Sequence, residues 1–182
     1  MISDYVKGRK KFDFPSSIQK GIMLHRYIDT FTDEHKATKE AKEIFRPAYR
    51  LYSGAFVDVV YDHFLAIDKN EFPEDSLLPF SEKVYSSLDK NVEWFPDRFA
   101  RMFPYMKDNN WLWNYRTRWG IGKSLGGVVK RAAYLSESDT AFQLFEEHYD
   151  FLQECYRNFW ADIKFFAKEQ FDLLENDVSY NL

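Results

Sequence analysis

The stretch IQKGIMLHRYIDTFTDEH, residues 18–35, decides how this chain folds. On a helical wheel at about 100° per residue, Ile18, Ile22, Leu24, Ile28 and Phe31 gather on one broad apolar arc. Gln19, Lys20, Arg26 and Thr30 fall outside it. His25 and Asp29 fall inside the arc, close to the line of Ile18 and Ile22. A carboxylate aimed at an apolar interior is costly unless it is paired or metal-bound, so Asp29 is expected to have a partner. His25, Asp29 and Asp33 are spaced four apart and so share a helical face.

A second stretch, DVVYDHFLA at residues 58–66, repeats the pattern. Asp58 and Asp62 lie one turn apart with Leu65 beside them and His63 following at once. The rest of that helix is built from Phe56, Val57, Val60 and Phe64. For the first helix alone, a His25–Asp29 hydrogen bond, or a pair between Asp29 and Arg46 or Arg50, explains the pattern as well as a metal does. Two helices that both send carboxylates inward favour a shared cation. Mixed imidazole and carboxylate ligation suits Mn²⁺ or Mg²⁺, and also Fe²⁺, whereas no CxxC pattern supports structural zinc. A bound divalent ion acidifies water and polarises a phosphoryl oxygen, so the chemistry most naturally hosted is hydrolysis of a phosphate ester. There is no GxxxxGK[ST] phosphate loop and no GxSxG elbow.

Working outward, helical signals dominate. Pro15 followed by Ser16 and Ser17 predicts a helix start. Further helices are expected over 36–50, with Pro47 a kink or break, and over 55–67 after a Ser53-Gly54 breaker. Residues 71–79 read as a loop. Helices are expected again over 81–91, 96–106 and 110–119, then over 124–135 beyond the turn marked by Gly120 and Gly122. A long amphipathic helix is expected over 139–174. No alternating pattern argues for strands. The expectation is an all-α, single-domain helical bundle covering residues 1–182.

The chain of 182 residues has 7 Gly and 6 Pro, with no linker-like run to divide it. No apolar run approaches the roughly 20 residues that span a bilayer, and MISDYVKGRKK lacks a signal-peptide core. With the single Cys155, read as a core side chain, this predicts a cytoplasmic protein without disulfides or membrane attachment. Aromatic residues make up 19% of the chain, 18 of them Phe. No RNA-binding signature or basic pI accompanies them, so they are read as core, and no nucleic-acid partner is expected. Residues 1–50 carry eleven Lys and Arg against seven Asp and Glu (net +4), while residues 51–182 carry fourteen against twenty-two (net −8). Such a locally basic segment favours an anionic partner, although a solvated helix face explains it equally well. His35 reads as a capping or solvated residue and His148 as solvated. Asp4, in ISDYVKG, reads as a surface acid on spacing alone.

These strings resemble the acyl carrier protein phosphodiesterase family, a divergent branch of the HD-type metal-dependent phosphohydrolases. The matching pieces are ISDYVKG (2–8), IQKGIMLHRYIDTFTDEH (18–35), FRPAYRLYSG (45–54), VDVVYDHFLA (57–66), NWLWNYRTRWGI (110–121) and HYDFLQECYRNFW (148–160). The resemblance implies an HD-like all-α fold and Mn²⁺-dependent hydrolysis. The substrate implied is holo acyl carrier protein, cut to the apo form and 4′-phosphopantetheine. By position it implies Asp4, His25, Asp29 and Asp62 as the metal and catalytic core, with Asp33, Asp58 and His63 in support. Arg26 or Lys7 would offset phosphoryl charge. The acidic carrier fits the basic first fifty residues, with docking expected at Lys10, Lys11 and Lys36. Family members usually begin about twenty residues earlier, so an N-terminal segment that supplies a ligand or covers the site is expected to be lacking here. The competing readings are a metal-dependent phosphohydrolase acting on a nucleotide or other small diester, and a non-catalytic helical binding protein whose acids form internal salt bridges.

Overall fold

The computed structural model describes residues 2–177, which form helices and 3-10 turns and no strand. The helices are α1 (Ser16–Glu34), α2 (Lys36–Tyr49), α3 (Ser53–Ile67), α4 (Leu77–Asp89), α5 (Asp97–Asp108), α6 (Trp111–Asn114), α7 (Arg118–Arg131), α8 (Asp139–Glu147) and α9 (Tyr149–Asn176). The expected all-α fold is what the chain adopts.

The start of α1 at Ser16, after an extended Pro15, follows the sequence signal. Its end is set by His35, which caps α2 by accepting from the Ala37 N–H through Nδ1 while Nε2 lies 3.1 Å from the Asp162 carboxylate on α9. That is the expected capping role.

Several boundaries differ from expectation. Pro47 lies inside α2 without ending it. The break falls at Arg50, whose φ of +47° is left-handed, so Ser53 and Gly54 open α3 instead of separating it from α2. Helix α4 begins within the expected 71–79 loop, because a proline is tolerated in a first turn. The expected helix over 110–119 stops at Asn114, and Gly120 and Gly122 lie inside α7. Gly120 is required there: a Cβ would collide with the Asn114 carbonyl. The long terminal helix is interrupted at His148, which joins α8 to α9 and is half-buried, not solvated.

Two cores result. The main one gathers Phe45 of α2, Phe56, Val57, Val60 and Phe64 of α3, Ile121 and Leu125 of α7, Phe145 of α8, and Leu152, Cys155, Phe159 and Ile163 of α9. Each fully buried side chain of this kind stabilises the fold by roughly 1.5–3 kcal/mol relative to exposure, which accounts for the aromatic content and for Cys155. A smaller core holds Tyr85 of α4 and Phe99, Phe103 and Met106 of α5, with Ile2, Tyr5 and Trp111 against it. Among the described residues no helix is long and apolar enough to cross a membrane.

Helix α1 packs on α2 and α9 at the border of the main core. Ile28 and Phe31 are its inward contacts, and Phe31 stacks on Phe166 at 4.5 Å. The strip carrying His25 and Asp29 lies at the edge of that contact. The inward-pointing Asp29 of the wheel is therefore corrected: its side chain is 56% exposed.

Candidate metal centre and carboxylate cleft

The segment before α1 brings in the first acid. Ile2 and Tyr5 are held in the smaller core, the Ser3 hydroxyl donates to the Ile22 carbonyl, and Arg26 donates to the Val6 carbonyl at 2.7 Å. This pins the 3-10 turn Ser3–Tyr5 along α1 and sets Asp4 beside His25. Arg26 is thereby engaged on backbone, while Lys7 is exposed at the end of that turn. Gly8, at φ +56°, then redirects the chain into the basic turn Gly8–Asp13.

Asp4, His25 and Asp29 each offer one ligand atom, all within 4.8 Å of one another. His25 Nδ1 lies 2.8 Å from Asp29 Oδ2, and its Nε2 is 3.8 Å from Asp4 Oδ1. The His25–Asp29 hydrogen bond foreseen as an alternative thus exists, and it coexists with the three-residue group. The other alternative does not: Arg46 pairs with Glu43. An imidazole with carboxylates around it is a donor set that suits Mn²⁺ and related hard or borderline ions.

Asp58 and Asp62 project from α3 towards the same region, outside that group. Both are exposed on α3, and the protein packed around their carboxyl groups disfavours the charged forms. It pushes the Asp58 carboxyl up to about 7, helped by the negative charges of Asp62, Asp33 and Asp29 and opposed by Lys42. It pushes Asp62 up to about 6, opposed by the nearby Tyr115 hydroxyl. Asp58 lies near enough to Asp29 and Asp33 to feel their charges, so the carboxylates of the two helices share a polar surface and do not enter the apolar core.

Asp33 belongs to the rim, where Lys42 of α2 donates to its Oδ1 at 2.7 Å. Only 15% of the Lys42 side chain is exposed, so its ammonium sits between α1 and α3. His63 points the other way. It is buried, its Nδ1–H donates to the Tyr115 carbonyl at 2.7 Å, and its ring meets Phe145 edge-on. Burial lowers its pKa and keeps it neutral. His63 braces the cleft wall and does not join the acids.

Sequence reasoning passed over Lys42 and Tyr115. Nothing in the spacing of Lys42 marks it, but Tyr115 sits inside NWLWNYRTRWGI, a string whose density of Asn, Trp and Arg was a signal of unusual structure. Two shallow grooves of about 330 and 340 Å³ lie away from the acids, one along Ile18, Leu88 and Trp94, the other along Tyr85 and Lys107. Neither includes any residue of the cleft.

Fold and cleft define an all-helical protein with an imidazole–carboxylate centre suited to a divalent cation. Comparison of the sequence narrows this further. Residues 1–163 match the family described as acyl carrier protein phosphodiesterase, and the chain belongs to that family. Proteins named acyl carrier protein phosphodiesterase from Enterobacter sp. (strain 638) and Klebsiella pneumoniae subsp. pneumoniae are 31% and 32% identical, each over 93% of this chain and 89% of their own length. The protein of that name from Yersinia pestis is 30% identical over 88% of this chain and 83% of its own. No solved structure matches.

Proposed function

We propose that this chain is a hydrolase that cuts the phosphodiester of holo acyl carrier protein, freeing the carrier's serine and releasing 4′-phosphopantetheine. The observation that carries this reading, beside the family, is the convergence of Asp4, His25 and Asp29 from two separate elements, near the Asp58 and Asp62 carboxyl groups. Asp4, His25 and Asp29 would hold a divalent cation, Mn²⁺ before Mg²⁺ or Fe²⁺. When bound, such an ion supplies polarisation of the phosphoryl oxygens and acidification of water.

The chain's own residues do the rest. In this proposal Asp62 takes a proton from the attacking water and Asp58 gives one to the leaving serine oxygen, both carboxyl groups being raised in the cation-free protein. The new bond joins the water oxygen to phosphorus and the bond to the serine oxygen breaks, so one water is consumed and protons balance. Groups poised near the working pH suit both transfers. Lys42 and Lys7 offset negative charge at the rim, and Arg26 keeps Asp4 in place. The exposed Lys7, Arg9 and Lys10 beside Asp4 give an acidic carrier a cationic approach. Kinship with the HD-type phosphohydrolases and residence in the cytoplasm belong to the same reading.

Mass spectrometry of holo carrier protein before and after incubation with this protein and Mn²⁺ is the test. Loss of the phosphopantetheine mass is expected. An unchanged carrier, with turnover of a generic diester instead, overturns the assigned substrate.

A further inference from the structure

The groove of about 330 Å³ between the start of α1 and the end of α4 contains none of the acids, but two of its walls lead to them. One wall carries Ile2, two residues before Asp4 and so within about 7 Å of it along the chain. Another carries Ser17 and Ile18 of α1. His25 lies seven residues beyond Ile18, which returns it to the same face two turns away, a rise of about 10 Å. Between them stands Gly21, one turn from Ser17 and one from His25. Glycine is a poor residue for the middle of a helix, and no packing demands it here: nothing lies within 4 Å of where a Cβ would stand. The face of α1 between groove and imidazole is therefore open at this point.

The groove is lined without charge. Ile2, Ile18, Leu88, Trp94 and Phe95 give it apolar walls, and Ser17, Ser87 and Asn91 supply polar groups. Its far wall is firmly set. Phe95 meets Phe99 of the smaller core edge-on at 4.6 Å, Trp94 lies against Phe14 at 6.3 Å, and Asn91 Nδ2 donates to the Ser87 carbonyl at 2.8 Å. The other groove, by contrast, is lined by Glu82, Asp89 and Lys107. Beyond Asp4 the chain continues into the exposed Lys7, Arg9 and Lys10. Along the chain, Asp4 thus separates an uncharged groove from a cationic turn.

We propose that this groove holds the pantetheine arm of the substrate while the phosphodiester lies at Asp4, His25 and Asp29, with Gly21 keeping the passage between them open. The inference rests on the proposed function. Beyond its phosphate the arm is uncharged: a gem-dimethyl group, a hydroxyl, two amides and a thiol. Extended, it reaches roughly 15 Å at a polypeptide's reach per bond, enough to cross Gly21 and enter a groove that starts about 10 Å from His25. Apolar walls with a few placed polar groups suit such a ligand: Leu88 and Trp94 for the methyls, Asn91 and Ser87 for the amides. Charge then divides the substrate, the acidic carrier towards the cationic turn and the neutral arm towards the uncharged groove.

Calorimetric titration of the full chain with Mn²⁺ compares free 4′-phosphopantetheine with methyl phosphate, which carries a phosphate of the same kind and no arm. The parent is expected to bind 4′-phosphopantetheine at least about tenfold more tightly. Gly21→Leu closes the passage with a good helix former, so the melting temperature should not fall. Ser87→Trp fills the groove from an exposed position on α4. Each variant is expected to bring the two ligands to within about twofold of each other by weakening 4′-phosphopantetheine. Equal affinities in the parent, or a preference that survives both substitutions, would overturn the proposal. A parent that leaves holo carrier uncut removes the assigned reaction, while the titration still decides whether the groove takes the arm.

Discussion

The strip along α1 and the strip along α3 are made of the same residue types, with carboxylates one turn apart in each, yet the structure treats them differently. Around α1, Asp4 and Asp29 are well exposed, and His25 lies between them within ligand distance. Along α3, Asp58 and Asp62 are exposed too, yet the protein packed around them raises both carboxyl groups towards neutrality. The α1 strip brings three donor atoms together with Asp4 and suits holding a cation. The α3 strip carries the raised carboxyl groups and suits acid–base work. Identical chemistry in the sequence is divided into two roles by the protein mass around it.

Separating the roles by mutation gives the largest expected effect. Asp29→Ala and His25→Ala should lose both Mn²⁺ binding and turnover, the latter by about 10³-fold or more, since several kcal/mol of transition-state stabilisation goes with the ion. Asp62→Asn should lose roughly 10²–10⁴ in kcat, as for removal of a general base, yet retain Mn²⁺ in a calorimetric titration. If Asp62→Asn also abolishes Mn²⁺ binding, Asp62 is a ligand and the division between the strips collapses.

A smaller effect concerns stability against pH. In the folded, cation-free protein Asp58 keeps its proton up to about 7, against 3.8 for an ordinary aspartate. Over that window the folded state binds more protons than the unfolded one, so the fold should lose stability as pH rises from about 4 to about 7. The melting temperature of cation-free protein should fall across this range, and Asp58→Asn should flatten the fall. A melting temperature that instead rises through the window in the parent, unchanged by Asp58→Asn, would mean that the α3 strip is not shielded.

The smallest effect is expected at Lys42, whose charge lowers the Asp58 carboxyl. Lys42→Met should carry the upper end of that stability decline to higher pH without abolishing Mn²⁺ binding. A loss of Mn²⁺ binding would instead show that Lys42 holds the α1 strip in place, through Asp33.

Much of the fold was legible because helical periodicity is a local signal. The α1 start at Pro15-Ser16, the apolar faces of α3 and α9, and the capping by His35 all follow from neighbours within a turn or two. The boundary misplaced at Gly120 and Gly122 has a definite cause. Gly120 and Gly122 read as punctuation, yet they sit inside α7, because whether a glycine breaks a helix or admits a neighbouring backbone depends on what lies across from it. For Gly120 that is the Asn114 carbonyl. The site was legible in its residue types and much less in its layout. Asp4 carried no spacing signal and is placed by Ile2, Tyr5 and Arg26, while His63, adjacent in sequence to Asp62, faces away from it.

By itself, then, the sequence determined that the chain is helical, which faces are apolar, and which acids and imidazoles stand one turn apart, since these depend on the 3.6-residue period alone. Only the tertiary structure decided that Asp4 meets His25, that Asp29 stays in solvent, and that the protein around Asp58 and Asp62 raises their carboxyl groups. Each of these depends on contacts between residues far apart in the chain, and on the dielectric surroundings that those contacts create.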